Sequence, residues 1–214
     1  EFTLHIWKGG HHKLPSSLFS CLQLTHLNLR TCAFRPPPPF GGFSRLTSLV
    51  LYEVLISSVI LASLISNGPL LEQLTVESSV FFYHLEIVAP NLKFLHLRAL
   101  FKAVHFINTP LLAIASINLK GQRASEVGTS NMIKFFDSLP VENLHIDYHY
   151  VKSLATDGIP ERLPTTLNDL KILKLADICF GDLNEVACAL LLIRSSPNLQ
   201  KVTITVTVSN DICF

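Results

Sequence analysis

Apolar and polar residues alternate in short bursts along this chain, and the bursts recur. Residues 24–32 read Leu-Thr-His-Leu-Asn-Leu-Arg-Thr-Cys, with apolar positions at Leu24, Leu27 and Leu29. Leu27 and Leu29 are two apart, the spacing of one strand face, so His26, Asn28 and Arg30 point to the other side. The same pair returns as Leu4/Ile6, Leu49/Leu51, Leu74/Val76, Leu95/Leu97, Ile117/Leu119, Leu144/Ile146, Leu173/Leu175 and Val202/Ile204. Subtracting those positions gives steps of 21–29 residues. A further apolar residue stands three before each pair after the first: Leu24, Leu46, Leu71, Leu92, Ile114, Val141, Leu170 and Leu199.

An L-x-x-L-x-L-x-x-N/C signature at this period is that of a leucine-rich repeat, one short strand plus a return segment per repeat. Cys32 fills the N/C position; later frames place Val54, Ser79, Leu100, Gln122, His149, Ile178 and Thr207 there, so the repeats are degenerate. The predicted fold is α/β. It is a curved leucine-rich repeat solenoid with a parallel sheet on the concave side and short helices and loops on the convex side. About nine repeats make one domain over residues 1–214. The chain begins inside a repeat, where solenoids normally carry a cap. It therefore reads as a piece of a longer protein.

The return segments carry their own signals. Residues 57–67 predict a helix, with Ser57 or Ser58 as cap and Asn67-Gly68-Pro69 as stop. Residues 131–138 predict a second, ended by Pro140. A third starts at Asp182 and Glu185, a D-x-x-E capping pair, with Val186, Ala189, Leu190 and Ile193 on one face. The tighter repeats between Pro90 and Lys120 predict loop returns. Four prolines at 36–39 are stiff and cannot donate to a ladder. The favoured reading is a return loop whose flanking Phe34, Phe40 and Phe43 plug the core, ahead of a ligand for an aromatic groove.

Composition narrows the function. The chain is 49% hydrophobic and 15% charged, with a formal net charge of +1. So low a charge fits extensive burial and gives no bulk attraction to nucleic acid or anionic membrane. No apolar run approaches the roughly 20 residues of a membrane span, and no basic segment precedes an apolar run as in a signal peptide. The five cysteines, Cys21, Cys32, Cys179, Cys188 and Cys213, include no C-x-x-C. They predict free thiols in a reducing compartment and an intracellular protein, cytoplasmic or nuclear.

Catalytic signatures are absent from the sequence: no nucleophile elbow, phosphate loop, dinucleotide fingerprint or H-E-x-x-H. His145, Asp147 and His149 are ligand types at alternate positions. His149, however, falls where the chain turns, which argues against tetrahedral zinc. The expectation is no enzyme, no cofactor and no metal.

Three segments resemble one family. They are Cys32-Ala-Phe-Arg-Pro-Pro-Pro-Pro-Phe-Gly-Gly-Phe-Ser-Arg-Leu46; Leu64-Ile-Ser-Asn-Gly-Pro-Leu-Leu-Glu-Gln-Leu-Thr-Val76 with Ala89-Pro-Asn-Leu-Lys-Phe-Leu95; and Ala187-Cys-Ala-Leu-Leu-Leu-Ile-Arg-Ser-Ser-Pro-Asn-Leu-Gln200. Together they are similar to the repeat region of plant F-box/FBD/LRR-repeat proteins. The resemblance implies the substrate-recognition region of an F-box protein in an SCF-type E3 ubiquitin ligase. The F-box that docks on the ligase adaptor and the FBD part are missing here. The alternative is a leucine-rich repeat scaffold unconnected with ubiquitination. The strand register supplies the partner face. Its outward positions on the concave side include Trp7, Arg30, Tyr52, Phe94, His96, Arg98, Lys120, His145 and Lys174. Aromatic and Arg residues dominate binding hot spots, and the excess of cations suggests an acidic, extended protein segment as partner.

Overall fold

The computed structural model describes residues 1–6, 10, 12–119, 135–155 and 161–206. The chain divides into two compact units, Glu1–Leu112 and Ala113–Phe214. In the first unit β1 (Phe2–His5) is followed by β2 (His12–Lys13), β3 (His26–Arg30), β4 (Cys32–Ala33), β5 (Ser48–Tyr52), α1 (Ser58–Ser66), β6 (Gln73–Val88) and β7 (Phe94–Ile107). β1, β3, β5, β6 and β7 lie side by side in that order, all parallel, and β2 pairs with β4. The second unit holds β8 (Ile114–Leu119), β9 (Asn143–Asp147), α2 (Tyr148–Ala155), β10 (Ile172–Ile178), α3 (Leu183–Arg194) and β11 (Lys201–Val206). Its strands are again parallel and in chain order. Parallel strands in sequence order, each followed by a return segment, form the predicted leucine-rich repeat fold.

The inward pairs form the core of each unit. Leu27, Leu29, Leu49, Leu51, Leu74, Val76, Leu95 and Leu97 are buried in the first, and Leu144, Ile146, Leu173 and Leu175 in the second. Burying one such side chain contributes about 1.5–3 kcal/mol, so the pairs dominate the stability of each strand. After the second inward residue the chain must turn off the sheet. At Thr31, Glu53 and Asp177 it does so in the left-handed region, with φ of 54°, 49° and 60°. The turn drives the next residue, Cys32, Val54 or Ile178, into the core.

Two frames differ from the predicted register. Phe2 pairs with Leu27 and Leu4 with Leu29, so the first inward pair is Phe2/Leu4 and not Leu4/Ile6. Likewise Ala115 pairs with Leu144 and Ile117 with Ile146. That inward pair is Ala115/Ile117 and not Ile117/Leu119, and its leading residue is the buried Leu112 in place of the exposed Ile114. Both slips are by two residues, which leaves the alternation of faces intact. Period-2 patterning therefore cannot detect them.

The returns differ in kind. α1 is capped as predicted: Ser57 Oγ accepts from the Ile60 amide at 3.3 Å. α3 is capped by Asp182, whose carboxylate accepts from the Asn184 amide at 2.8 Å. The buried Glu185 accepts instead from the Cys179 amide at 2.8 Å. The predicted reciprocal box does not close, because the Asp182 amide already donates to the Cys179 carbonyl. Of the helix predicted at 131–138, residues 131–134 lie outside the described residues, and Phe135–Ser138 form a 3₁₀ turn. α2 was not predicted; Asp147 Oδ1 accepts from the Tyr150 amide at 3.1 Å and starts it.

Of the loop returns predicted between Pro90 and Lys120, residues 108–113 are loop, but residues 99–107 are strand, since β7 runs on to Ile107. β6 and β7 run on past a register shift between Glu77 and Phe81. They then pair Phe82 with Phe101, Leu85 with Val104 and Ile87 with Phe106, a second buried strip. Residues 80–88 are dense in aromatic and branched side chains with no Gly or Pro, which favours extended chain. The proline run follows the core-plug reading. Phe34 and Phe43 are buried, and the Phe40 ring lies 5.2 Å from Phe19 and 5.1 Å from Phe43.

Side chains also join one repeat to the next. Asn91 Nδ2 donates to the Pro69 carbonyl and Asn198 Nδ2 to the Asn168 carbonyl, both at 2.8 Å. Each Asn stands one place before the leading leucine of its repeat. This gives the Pro-Asn-Leu motif a physical reason.

Candidate interaction face

Parallel pairing stacks the outward residues of the first unit into rows. One row is His5, Arg30, Tyr52, Glu77 and Arg98, and the next is Thr3, Asn28, Val50, Thr75 and His96. A third holds His26, Ser48, Gln73 and Phe94. Neighbours within a row sit on strands about 4.8 Å apart. Five of the predicted residues, Arg30, Tyr52, Phe94, His96 and Arg98, thus share one face of this unit. Trp7 and Lys120 lie outside the described residues.

The row has internal chemistry. The Arg30 guanidinium lies 5.1 Å from the centroid of the exposed Tyr52 ring, a cation–π pair that holds two flexible side chains in one orientation. Glu77 takes His96 Nε2 at 3.4 Å and Arg98 Nη1 at 3.8 Å. The carboxylate of this row is therefore engaged from inside the protein, while Arg30 has no acid against it among the described residues. In the second row Asn28 Oδ1 is buried and has no hydrogen-bond donor among the described residues.

In the second unit His145 lies level with Ser116 and Lys174, and its Nδ1 is 3.3 Å from Ser116 Oγ. Asp147 Oδ1 accepts from the amides of Leu119 at 3.2 Å and Tyr150 at 3.1 Å, so its charge serves the turn into α2. Lys174 and Lys201 are exposed on β10 and β11, with no acid against them among the described residues. Ile114, 40% exposed, joins this face. The sequence did carry the signal for it. Pro110 stands two before Leu112 as Pro90 does before Leu92 and Pro197 before Leu199.

His145 and Asp147 sit on β9 and His149 on α2. Among the described residues no group of three or more His, Cys, Asp or Glu comes together to hold an ion. Cys21, Cys32 and Cys188 are free thiols as predicted, whereas Cys179 is disulfide-bonded. Burial pushes Cys32 up to about 11 and, with Glu185 and Asp182 nearby, Cys188 up to about 12. Neither thiol ionises at neutral pH to act as a nucleophile.

The sequence matches the family described as FBD-associated F-box protein At5g56370, LRR repeats, over residues 1–204. The chain belongs to this family. Over 204 residues it is 37% identical to the F-box/FBD/LRR-repeat protein At1g13570 of Arabidopsis thaliana, covering 92% of this chain and 48% of that protein. The chain thus spans about half the length of the curated relative it matches. No solved structure matches it. Membership of the FBD-associated F-box family makes this stretch an LRR region, of the kind that takes part in protein–protein interaction. Among the described residues, no helix is long and apolar enough to cross a membrane.

Proposed function

We propose that this chain is the substrate-recognition region of an F-box protein in an SCF-type E3 ubiquitin ligase. Its outward strand rows hold the substrate protein, and an F-box outside these 214 residues meets the ligase adaptor. The protein works inside the cell, in cytoplasm or nucleus, where that ligase operates. The observation that carries the reading is the charge balance of the outward rows, taken in each unit by itself. Glu77 and Asp147 are each engaged within the protein, whereas Arg30, Lys174 and Lys201 are left for a partner. Such a face suits an acidic, extended segment, since complementary charge steers encounter and rejects wrong partners.

The test uses the full-length protein and the 214-residue chain side by side. The full-length protein should co-precipitate the ligase adaptor, and residues 1–214 alone should not. Adaptor captured by residues 1–214 would overturn this division of labour. A full-length protein that ignores the adaptor would favour the scaffold unconnected with ubiquitination.

A further inference from the structure

The asparagine links between repeats have a gap. Asn91 and Asn198 precede Leu92 and Leu199, and each donates to the carbonyl two places before the leading residue of the preceding repeat. The equivalent position before Leu170 is Asp169, and the carbonyl it would meet, two before Val141, belongs to Leu139. A carboxylate has no N–H to give, so the link cannot form. At this place, between the segments leading into β9 and β10, a cleft of about 280 Å³ opens.

The walls of the cleft are built. Phe136, Leu139 and Leu167 line it and are buried; Asp169 lines it and is exposed. Asp169 has no cation against it among the described residues. The rim is held from behind: the Leu167 amide donates to the Ser195 carbonyl at 2.8 Å and the Leu163 amide to Ser195 Oγ at 3.2 Å. Asn198 fixes the Asn168 carbonyl on the same loop. The cleft is therefore preformed and pays little ordering entropy on binding.

We infer that this cleft takes an arginine side chain presented by a peptide. The volume is below the roughly 300–1,000 Å³ of a pocket for a drug-sized ligand, which points to a single side chain. Phe136, Leu139, Pro140 and Leu167 give the cleft an apolar side that suits a methylene stem, while Thr165, Thr166, Asn168 and Asp169 make its other side polar. The Asp169 carboxylate calls for N–H donors, and the ligand must bring them with a positive charge. A guanidinium brings five in a planar fork that meets a carboxylate through two parallel bonds, where an ammonium offers a point charge. The site is separate from the outward rows of β8–β11 and stands or falls independently of the substrate proposed for them.

The experiment titrates the 214-residue chain with N-acetyl-arginine N-methylamide, following backbone amides by NMR. The citrulline and lysine counterparts serve as neutral and point-charge controls. The arginine probe should move the amides of Leu167, Asn168 and Asp169, and citrulline should bind at least about fivefold more weakly, losing one charge-assisted hydrogen bond. Asp169→Ala should abolish the preference for arginine, and Asp169→Asn, which supplies the missing N–H, should remove binding altogether. Unchanged amides elsewhere would show that both variants fold. Citrulline or lysine binding as well as arginine would overturn the assignment. So would amides that stay still with the arginine probe, or a preference that survives in Asp169→Ala.

Discussion

Asn198 reaches back one repeat to the carbonyl of Asn168, and Asn91 makes the same bond to Pro69. Each is a side-chain hydrogen bond at the point where a return segment enters its strand. A neutral bond of this kind contributes about 0.5–1.5 kcal/mol net. Asn91→Ala and Asn198→Ala should each lower stability by that amount in urea unfolding, with m unchanged. Asp169→Asn should raise it by a similar amount. Loss of stability in Asp169→Asn would show that the Leu139 carbonyl is not where the repeat geometry puts it.

Those links also show what the sequence made legible. The inward pairs around Leu27, Leu49, Leu74, Leu95, Leu144 and Leu173 were plain, because burial of alternate residues imposes period 2; Val202 of β11 keeps the register with Leu173 but is exposed. The frames at Phe2 and Ala115 were not, since a slip of two preserves that period and Ala115 is too small to stand out as core. A second, independent marker such as Pro110 was needed. Strand returns at β6 and β7 were missed because their buried residues, Phe82, Leu85 and Ile87, break alternation once. Arg30, Tyr52, Phe94, His96 and Arg98 came together on one face because parity alone fixes it. The ion pairing of Glu77 and the turn role of Asp147 depend on register, which parity does not give. The cleft at Asp169 follows from one Asn-to-Asp difference between repeats, visible only once the link itself is known.

Gly42 closes the proline loop against the end of α1. Its φ is +86°, and a Cβ built there would stand 2.5 Å from Asn67 Cβ. The left-handed conformation alone costs a residue with a side chain about 1–2 kcal/mol, and the contact with Asn67 adds to it. Gly42→Ala should therefore lower the unfolding free energy by more than about 2 kcal/mol, with a matching fall in Tm. Gly41→Ala, with nothing within 4 Å of its added Cβ, is the control and should change little. Equal stability of the two variants would contradict the packing of this loop.

Glu185 is a buried carboxylate at the start of α3. Burial raises it above the usual carboxylate range; the Cys179 amide opposes the shift, Asp182 adds to it and Lys152 opposes it. A carboxyl raised in the folded state gives stability that is complete below its unfolded value, about 4.3. That stability is lost as pH rises through the folded value. Glu185→Gln keeps an oxygen for the Cys179 amide and removes the buried charge. The variant should be more stable than the parent at pH 7, and the difference should vanish as pH falls below about 4. A variant that is less stable at pH 7, or a difference independent of pH, would mean that the charge on Glu185 is wanted where it sits.

The outward rows give the prediction closest to function. Arg30, Tyr52 and Arg98 are exposed, and Arg98 holds Glu77 only at 3.8 Å. Exposed ion pairs contribute about 0–1 kcal/mol, so replacing all three with Ala should leave the fold intact, with a circular dichroism melt within a few degrees of the parent. Binding is a different matter. The Arg30–Tyr52 pair is the aromatic and guanidinium combination from which hot spots are made, and it carries the uncompensated charge of its row. The triple variant, in the full-length protein, should hold its substrate protein more than about tenfold less tightly, about 1.4 kcal/mol. Parent affinity should weaken with added salt, because exposed charges are screened beyond about 8–10 Å at physiological ionic strength. The triple variant should show a shallower salt dependence. If it binds as tightly as the parent with the same salt slope, the rows are solvated strand surface. The return side, with exposed Phe81 and Tyr83 beside Lys102, then becomes the face to test.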